Sequence, residues 1–497
     1  MRRDVSLRSV PFLRRFWPAV VVGALVAVAV AVVVVVVAAG RGETSDRPAH
    51  GAVRLVVDRL GRRVPASFLG LSVEWDSLGA YAGPRTARRD DLLRLLAPVR
   101  RAAGSPLALR VGGDSTDQAW WNPGGRRPRP PTVLQDIGPG TLDDVAWLAR
   151  GLGGPVTLGV NLALRDPANA IALVRAARGR LPAGSLAAVE LGNEPDLYAA
   201  GKTFVSGGHV HRRLVKDPNY DLAAYGRDAG TYLRALGPVA GGAALVAGGF
   251  AAPTWWPALP ELMAQWKRRP DALAAHLYAV DGCGGPTPSA DWLVSRAATR
   301  VVAASVRPLL AIGRAERLPV RVAELGSAPC GGRPGLSDAP AAALWTADTL
   351  FALLREGLRG ADLHTWAGAT YAPFTTSGSS DAQARPPLNG MLAFARAAPT
   401  GSRLVRAMTS GAVRGGATID HHGTVRTLLI ARRATTATIR LTTVGGTTQH
   451  RPCGSLWVTS PTTHSRRSTR SCPSAAGDYV VRLPPMSASV LTVSNAR

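Results

Sequence analysis

Cysteine is scarce in this chain of 497 residues: there are four. None stands in a CxxC or CxxH arrangement, which argues against a structural zinc site. Lysine is scarcer still, with Lys202, Lys216 and Lys267 alone, so nearly all of the positive charge is arginine. Acidic residues number 33 against 59 basic ones, a formal net charge of +26. Those arginines are scattered, with small clusters at Arg126-Arg127-Pro128-Arg129 and Arg466-Arg467. Neither a basic helix nor an aromatic-interleaved RNA motif accompanies them, so no nucleic-acid partner is expected. Compositional bias accounts for the charge more readily than attraction to acidic polymers, including acidic polysaccharide, does. The absence of any internal repeat removes solenoids and propellers.

One long hydrophobic run is present. Ala19 to Ala39 holds only Val, Ala, Leu and Gly, enough to cross a bilayer. Arg2, Arg3, Arg8, Arg14 and Arg15 precede it against a single Asp4, so the tail is expected in the cytoplasm and the rest outside. Its length exceeds that of a signal-peptide core and favours a retained single-pass membrane anchor, although Ala38-Ala39-Gly40 offers small residues to a peptidase and secretion after cleavage. An even cysteine count fits an oxidising address, and the spacing pairs Cys283 with Cys330 and Cys453 with Cys472.

From Phe68 onward, short apolar runs alternate with longer stretches of helical period. Strands are expected at Phe68–Val73, Leu107–Val111, Val156–Leu162, Leu186–Leu191, Ala243–Ala247, Leu273–Tyr278, Val320–Ala323 and Asp362–Trp366. Eight strands with helices between them predict an α/β fold, a (β/α)8 TIM barrel. After Pro399 the pattern turns to Thr/Val/Arg alternation with Gly and Pro turns, expected to form a C-terminal β-sandwich. The predicted organisation is a basic tail (1–18), a transmembrane helix (19–39), a linker (40–51), a strand lent to the sandwich (52–66), the barrel (67–398) and the sandwich (399–497).

Chemistry in such a barrel gathers where strands end. The fourth strand runs through VELGNEPDLY and presents Asn193 and Glu194 where Pro195 stops the ladder. The seventh carries Glu324. Glu74 and Trp75 close the first, Gly112-Gly113-Asp114-Ser115 the second, His276 and Tyr278 share a face of the sixth, and His364-Thr365-Trp366 close the eighth. Two glutamates across one barrel mouth predict retaining glycoside cleavage. Glu194 is then the acid/base, its pKa raised by burial and a neighbouring negative charge, and Glu324 the nucleophile. Asn193 is placed to bond a sugar 2-hydroxyl, Tyr278 to donate to Glu324, and Trp366 to offer a flat platform. Glu190 reads as structural, unable to reach the mouth. No cofactor or metal is called for; the expected partner is a glycan or glycoside, acidic if the net charge is functional, with the membrane met through the N-terminal helix.

The segments LRVGGDSTD (Leu109–Asp117), VELGNEPDLY, AAHLYAV (Ala274–Val280) and AELGSAPCGGRPGLSDAPAAALW (Ala323–Trp345) resemble glycoside hydrolase family 79, the β-glucuronidase and heparanase family. The resemblance covers the chain from about Val53 to its end. It implies Glu194 as acid/base, Glu324 as nucleophile, and a loop near Cys330 and Gly331 whose backbone N–H groups help bind a substrate carboxylate. A Tyr of some relatives is replaced here by Pro329, which removes a hydroxyl donor. A non-catalytic glycan-binding protein on the same barrel, and a relative cleaving a different β-linked sugar, stand as the competing readings.

Overall fold

A computed structural model of the chain describes residues 48–494, apart from 201–202, 207–208, 213–216, 284–285, 377–380 and 460–465. The tail and apolar segment expected at 1–39 lie outside the described residues. Among the described residues no helix is long and apolar enough to cross a membrane.

Eight parallel strands close into a barrel: β1 (Leu69–Glu74), β2 (Leu107–Gly112), β3 (Gly153–Val160), β4 (Leu186–Leu191), β5 (Ala244–Ala247), β6 (Ala272–Tyr278), β7 (Val320–Gly326) and β8 (Ala361–Thr365), with β8 pairing back to β1. Strict alternation explains why these runs form a barrel. Leu69, Leu71 and Val73 of β1, Leu107, Leu109 and Val111 of β2, and Leu273, Ala275 and Leu277 of β6 all join the core beneath the helices. The residues between them face the lumen, where Gly70, Ala108 and Gly159 leave room for large polar neighbours.

Strand β7 breaks that alternation. Its register slips by one residue against both β6 and β8. Val320, Val322 and Leu325 pack outward, whereas Ala323 joins a lumen cluster with Val246 and Ala274. An unbroken strand would turn Glu324 outward beside Val320 and Val322; the extra residue turns it inward.

The helices fall between the strands as expected, and differ in detail. The helical period over 290–315 predicts one helix, and three form: Ala290–Leu293, Arg296–Ser305 and Arg307–Ala315. Ser289 and Ser295 cap the first two by accepting from the backbone N–H of Trp292 and Ala298, and Pro308 opens the third. The buried helix Pro386–Ala397 was not foreseen.

Beyond the barrel lies a β-rich C-terminal domain. Its strands form one continuous nine-stranded sheet, ordered Arg466–Ser471, Gly454–Thr459, Ser487–Val493, Val425–Ala431, Val413–Ile419, Arg403–Gly411, Ala49–Arg63, Thr435–Thr442 and Tyr479–Leu483. The expectation is a β-sandwich; its strands are joined in a single hydrogen-bonded order. One face encloses its own core around Leu55, Ile439, Tyr479 and Leu491. The opposite face lays Leu428, Trp457 and Val490 against the barrel helices. The N-terminal strand Ala49–Arg63 sits inside this sheet, antiparallel to Arg403–Gly411 and parallel to Thr435–Thr442. Disulfides join Cys283 to Cys330 and Cys453 to Cys472.

Candidate active site

The floor of the barrel mouth is a buried guanidinium. Arg110, midway along β2 and 1% exposed, donates through Nε to Glu190 Oε2 (2.5 Å), through Nη1 to Ser72 Oγ and to Glu324 Oε1 (both 2.9 Å), and through Nη2 to Asn193 Oδ1 (3.1 Å). Ser72 is its in-register neighbour on β1, and Ala108 and Gly112 flank it on the same face. A buried cation is tolerable only with such partners. Glu190 thus faces the lumen from β4, directly under the mouth.

Glu324 stands above Arg110, 3% exposed. Its Oε2 accepts from Tyr278 Oη at 2.8 Å and lies 3.1 Å from His364 Nδ1. Burial pushes its pKa up, but the charges of His276, His364 and Arg110 outweigh burial and hold it well below the carboxylate range. For Tyr278, burial and the Glu324 charge push the phenol well above its ordinary value, keeping it a donor.

Glu194 enters from the turn after β4. Gly192, at φ 68°, starts that turn; a β-carbon there would lie 2.5 Å from Tyr198 Oη and 2.7 Å from Leu162 Cβ. Glu194 itself is left-handed at φ 47°, strain tolerated where the surroundings fix the chain. Its N–H donates to Gly249 O at 2.9 Å, and Asn193 N–H donates to Asp117 Oδ2 at 2.8 Å. Asp117 also accepts from Leu162 N–H and Tyr198 Oη, and so anchors the turn. Glu194 Oε1 meets His276 Nδ1 at 3.1 Å, and the same nitrogen lies 3.8 Å from Glu324 Oε2.

His276 sits between the two carboxylates, and one donor atom from each of the three lies within 4.8 Å of the others. Three such groups have the makings of a metal site. Their chemistry here runs the other way, because Arg110 and Tyr278 already occupy both oxygens of Glu324 and the guanidinium repels a cation.

Glu74, at the end of β1, is held by the N–H groups of Asp114 (2.9 Å) and Ser115 (2.8 Å) and by Ser115 Oγ, while His364 Nε2 lies 3.3 Å from its Oε1. Burial raises its pKa. His364 therefore spans Glu74 and Glu324. Burial disfavours its charge, but the two carboxylates carry its pKa up to about 9.

The structure thus brings Glu194, Glu324, Asn193, His276, Tyr278, Glu74 and Asp114 into one network. Asn193 spends its carbonyl on Arg110 and its amide on Asp114 Oδ1 (3.2 Å). Trp366 is half-buried at the rim, donating to Tyr371 Oη at 2.8 Å, and Tyr371 Oη in turn lies 3.2 Å from His364 Nδ1. Cys330 and Gly331 lie in the loop after β7, both left-handed (φ 56° and 86°). A β-carbon on Gly331 would meet the Trp366 ring at 2.8 Å. The Gly331 carbonyl accepts from Thr370 N–H (2.7 Å) and Oγ1 (2.9 Å), tying that loop to the one bearing Trp366.

Arg110 was not foreseen in the sequence, nor was the placement of Glu190. The available signal was a lone arginine at a lumen-facing position between Ala108 and Gly112, matched by a glutamate at a lumen-facing position of β4.

No family model matches the chain, and no curated protein does. Among solved structures, a 4-O-α-L-rhamnosyl-β-D-glucuronidase from Fusarium oxysporum 12S superposes with a TM-score of 0.66 at 18% identity, covering 88% of this chain and 100% of that one. A glycoside hydrolase family 51 arabinofuranosidase from Xanthomonas axonopodis pv. citri gives 0.68 at 17% identity, with 90% and 100% covered. A family 44 xyloglucanase from Paenibacillus polymyxa gives 0.61 at 10% identity, again with 90% and 100% covered. At these identities the likeness shows a shared fold.

Proposed function

We propose that this chain is a retaining β-glycoside hydrolase with Glu324 as nucleophile and Glu194 as acid/base. The observation that carries the reading is the carboxylate pair: oxygens of the two glutamates lie within 4.8 Å of each other, and a retaining mechanism places its carboxyl groups ~5–5.5 Å apart. Glu324 has the environment of a nucleophile, with Arg110, His276 and His364 keeping it ionised. It attacks the anomeric carbon as Glu194 hands its proton to the departing glycosidic oxygen. Glu194, now ionised, takes a proton from water, and that water releases the sugar from Glu324. Tyr278 and Arg110 hold Glu324 in line. Asp114 and Trp366 line the rim where a sugar enters.

The sugar proposed is a β-linked glucuronic acid, in a glucuronide or a heparanase-like glycan substrate, with the barrel presented outside the cell on an N-terminal membrane anchor. The family 79 motifs support this, as does the likeness to a glucuronidase structure. A second reading keeps the chemistry and changes the sugar; it is favoured by Pro329, which places no hydroxyl beside Cys330 and Gly331. A non-catalytic glycan binder is the weaker alternative, since binding alone does not call for an ionised Glu324 beside Glu194.

A panel of aryl β-glycosides, followed by mass spectrometry after trapping with a 2-deoxy-2-fluoro glycosyl fluoride, tests the proposal. The expected result is fastest turnover of the aryl β-glucuronide and a glycosyl label on Glu324. Glu324→Gln should block labelling, and Glu194→Gln should abolish hydrolysis of unactivated glycosides. Near-wild-type turnover by either variant would refute the assignment.

A further inference from the structure

A second built feature lies away from the barrel mouth. Helices of a β/α barrel run antiparallel to its strands, so the C-terminal ends of Asp90–Ala103 and Pro386–Ala397 return to the base. There they meet the nine-stranded sheet around a cleft of about 390 Å³ whose lining includes Arg101, Arg396, Arg426, Ser455, Trp457 and Thr492. Four sheet residues are in register across adjacent antiparallel strands. Arg426 pairs with Thr492, Thr492 with Ser455, and Ser455 with Arg470. Directly paired residues project from the same face. The result is a row with an arginine at each end and two hydroxyls between, spanning three strand spacings, or roughly 14 Å.

The row is preorganised and faces more cations. Asp420 Oδ2 fixes Arg426 Nη1 at 2.8 Å, neutralising one charge while leaving the rest of the fork to the cleft. Arg396 stacks over the Trp457 ring at 4.6 Å, which holds it against the sheet. Arg101, Arg396, Ser455 and Arg470 are exposed.

We propose that this face binds a linear anionic oligosaccharide, one carrying carboxylate or sulfate groups, at a site separate from the barrel mouth. The arginine forks match those groups, and the intervening Thr492 and Ser455 give and accept hydrogen bonds as sugar hydroxyls require. Its length accommodates two or three hexose units. A single-stranded nucleic acid fits less well, because it calls for exposed aromatic faces, and Trp457 is 7% exposed and covered by Arg396. The inference does not rest on the catalytic reading.

Calorimetric titration of the full chain with tetragalacturonate, a chondroitin sulfate tetrasaccharide, neutral cellotetraose and a dT12 oligonucleotide tests it. The wild type should bind one or both acidic tetrasaccharides and ignore cellotetraose; tetragalacturonate offers carboxylates alone and the chondroitin tetrasaccharide carboxylates together with sulfates, so the difference between them reads what sulfate adds. Arg101→Glu/Arg470→Glu should weaken that binding at least ~10-fold while leaving aryl-glycoside turnover unchanged, and Glu324→Gln should leave the binding intact. A chain that binds acidic sugars but cleaves no glycoside sinks the catalytic reading and keeps this one. Failure of both acidic sugars to bind, undiminished binding by the double variant, or tighter binding of dT12 overturns it.

Discussion

Arg110 Nη1 and Glu324 Oε1 lie 2.9 Å apart, and neither residue is more than 3% exposed. Lysine in place of this arginine keeps the charge but loses the fork that reaches Glu190, Ser72, Glu324 and Asn193 together. Arg110→Lys is expected to lower kcat about 10- to 100-fold, the equivalent of one charged hydrogen bond of ~1.5–3 kcal/mol. Arg110→Ala removes the ion-pair partner of Glu190, leaves Glu324 to Tyr278 and His364, and should cost about 3–5 kcal/mol of stability. Steady-state kinetics and denaturant melts on the two variants separate these effects.

Tyr278 donates to Glu324 at 2.8 Å and stands equally close to His364 Nδ1. Removing its hydroxyl leaves the ring in place, so Tyr278→Phe should lower kcat/KM by roughly 10-fold or more with little change in Tm. A variant as fast as the wild type would remove Tyr278 from the machinery.

His364 has a folded pKa of about 9 against an ordinary 6.5. The native state therefore holds a proton that the unfolded chain releases between these values. The stability it contributes is fully present below about pH 6.5, declines as pH rises, and is gone above about 9. Tm measured across this window should fall more steeply for the wild type than for His364→Gln. Parallel profiles would contradict the assignment of the charge.

Gly113 stands at φ 80°, and a β-carbon there would fall 2.1 Å from Glu74 Oε1. Gly113→Ala must displace the carboxylate that supports His364, so a loss of ~1–3 kcal/mol in stability should accompany a raised KM for aryl glycosides. An unaltered KM would mean that Glu74 tolerates the shift.

The Cys283–Cys330 bridge closes 47 residues and the Cys453–Cys472 bridge 19. Chain entropy assigns about 4 kcal/mol to the first and ~3 kcal/mol to the second. Paired Cys→Ser variants should follow that order in denaturant melts, and removing the first should also raise KM, because it anchors the loop of Gly331.

Short apolar runs between stretches of helical period made the eight barrel strands legible, since strands such as β1, β2 and β8 are buried on both faces and helices such as Asp90–Ala103 on one. Glu194 was legible through Pro195, which ends the ladder. Glu324 was legible from its place at the end of the seventh strand; strict alternation would have turned it outward, and only the irregularity near Ala323 corrects this. A one-residue bulge has no signature of its own. Arg110 escaped because a single arginine within an apolar run reads as solvated, and its partners lie 80 and 214 residues away. Strand order in the terminal sheet was equally out of reach, because alternation reports a face and never a neighbour.

Ala49–Arg63 occupies an interior place in a sheet whose other strands begin at Arg403. Arg54 meets Thr442 across a separation of 388 residues. During synthesis that segment emerges early and must wait for most of the chain before its neighbours exist. Its exposed edges are then open to mispairing with another nascent copy. The barrel can close in the meantime, but the sheet cannot, so the strands from Arg403 onward act as a latch that fastens Ala49–Arg63 over the closed barrel.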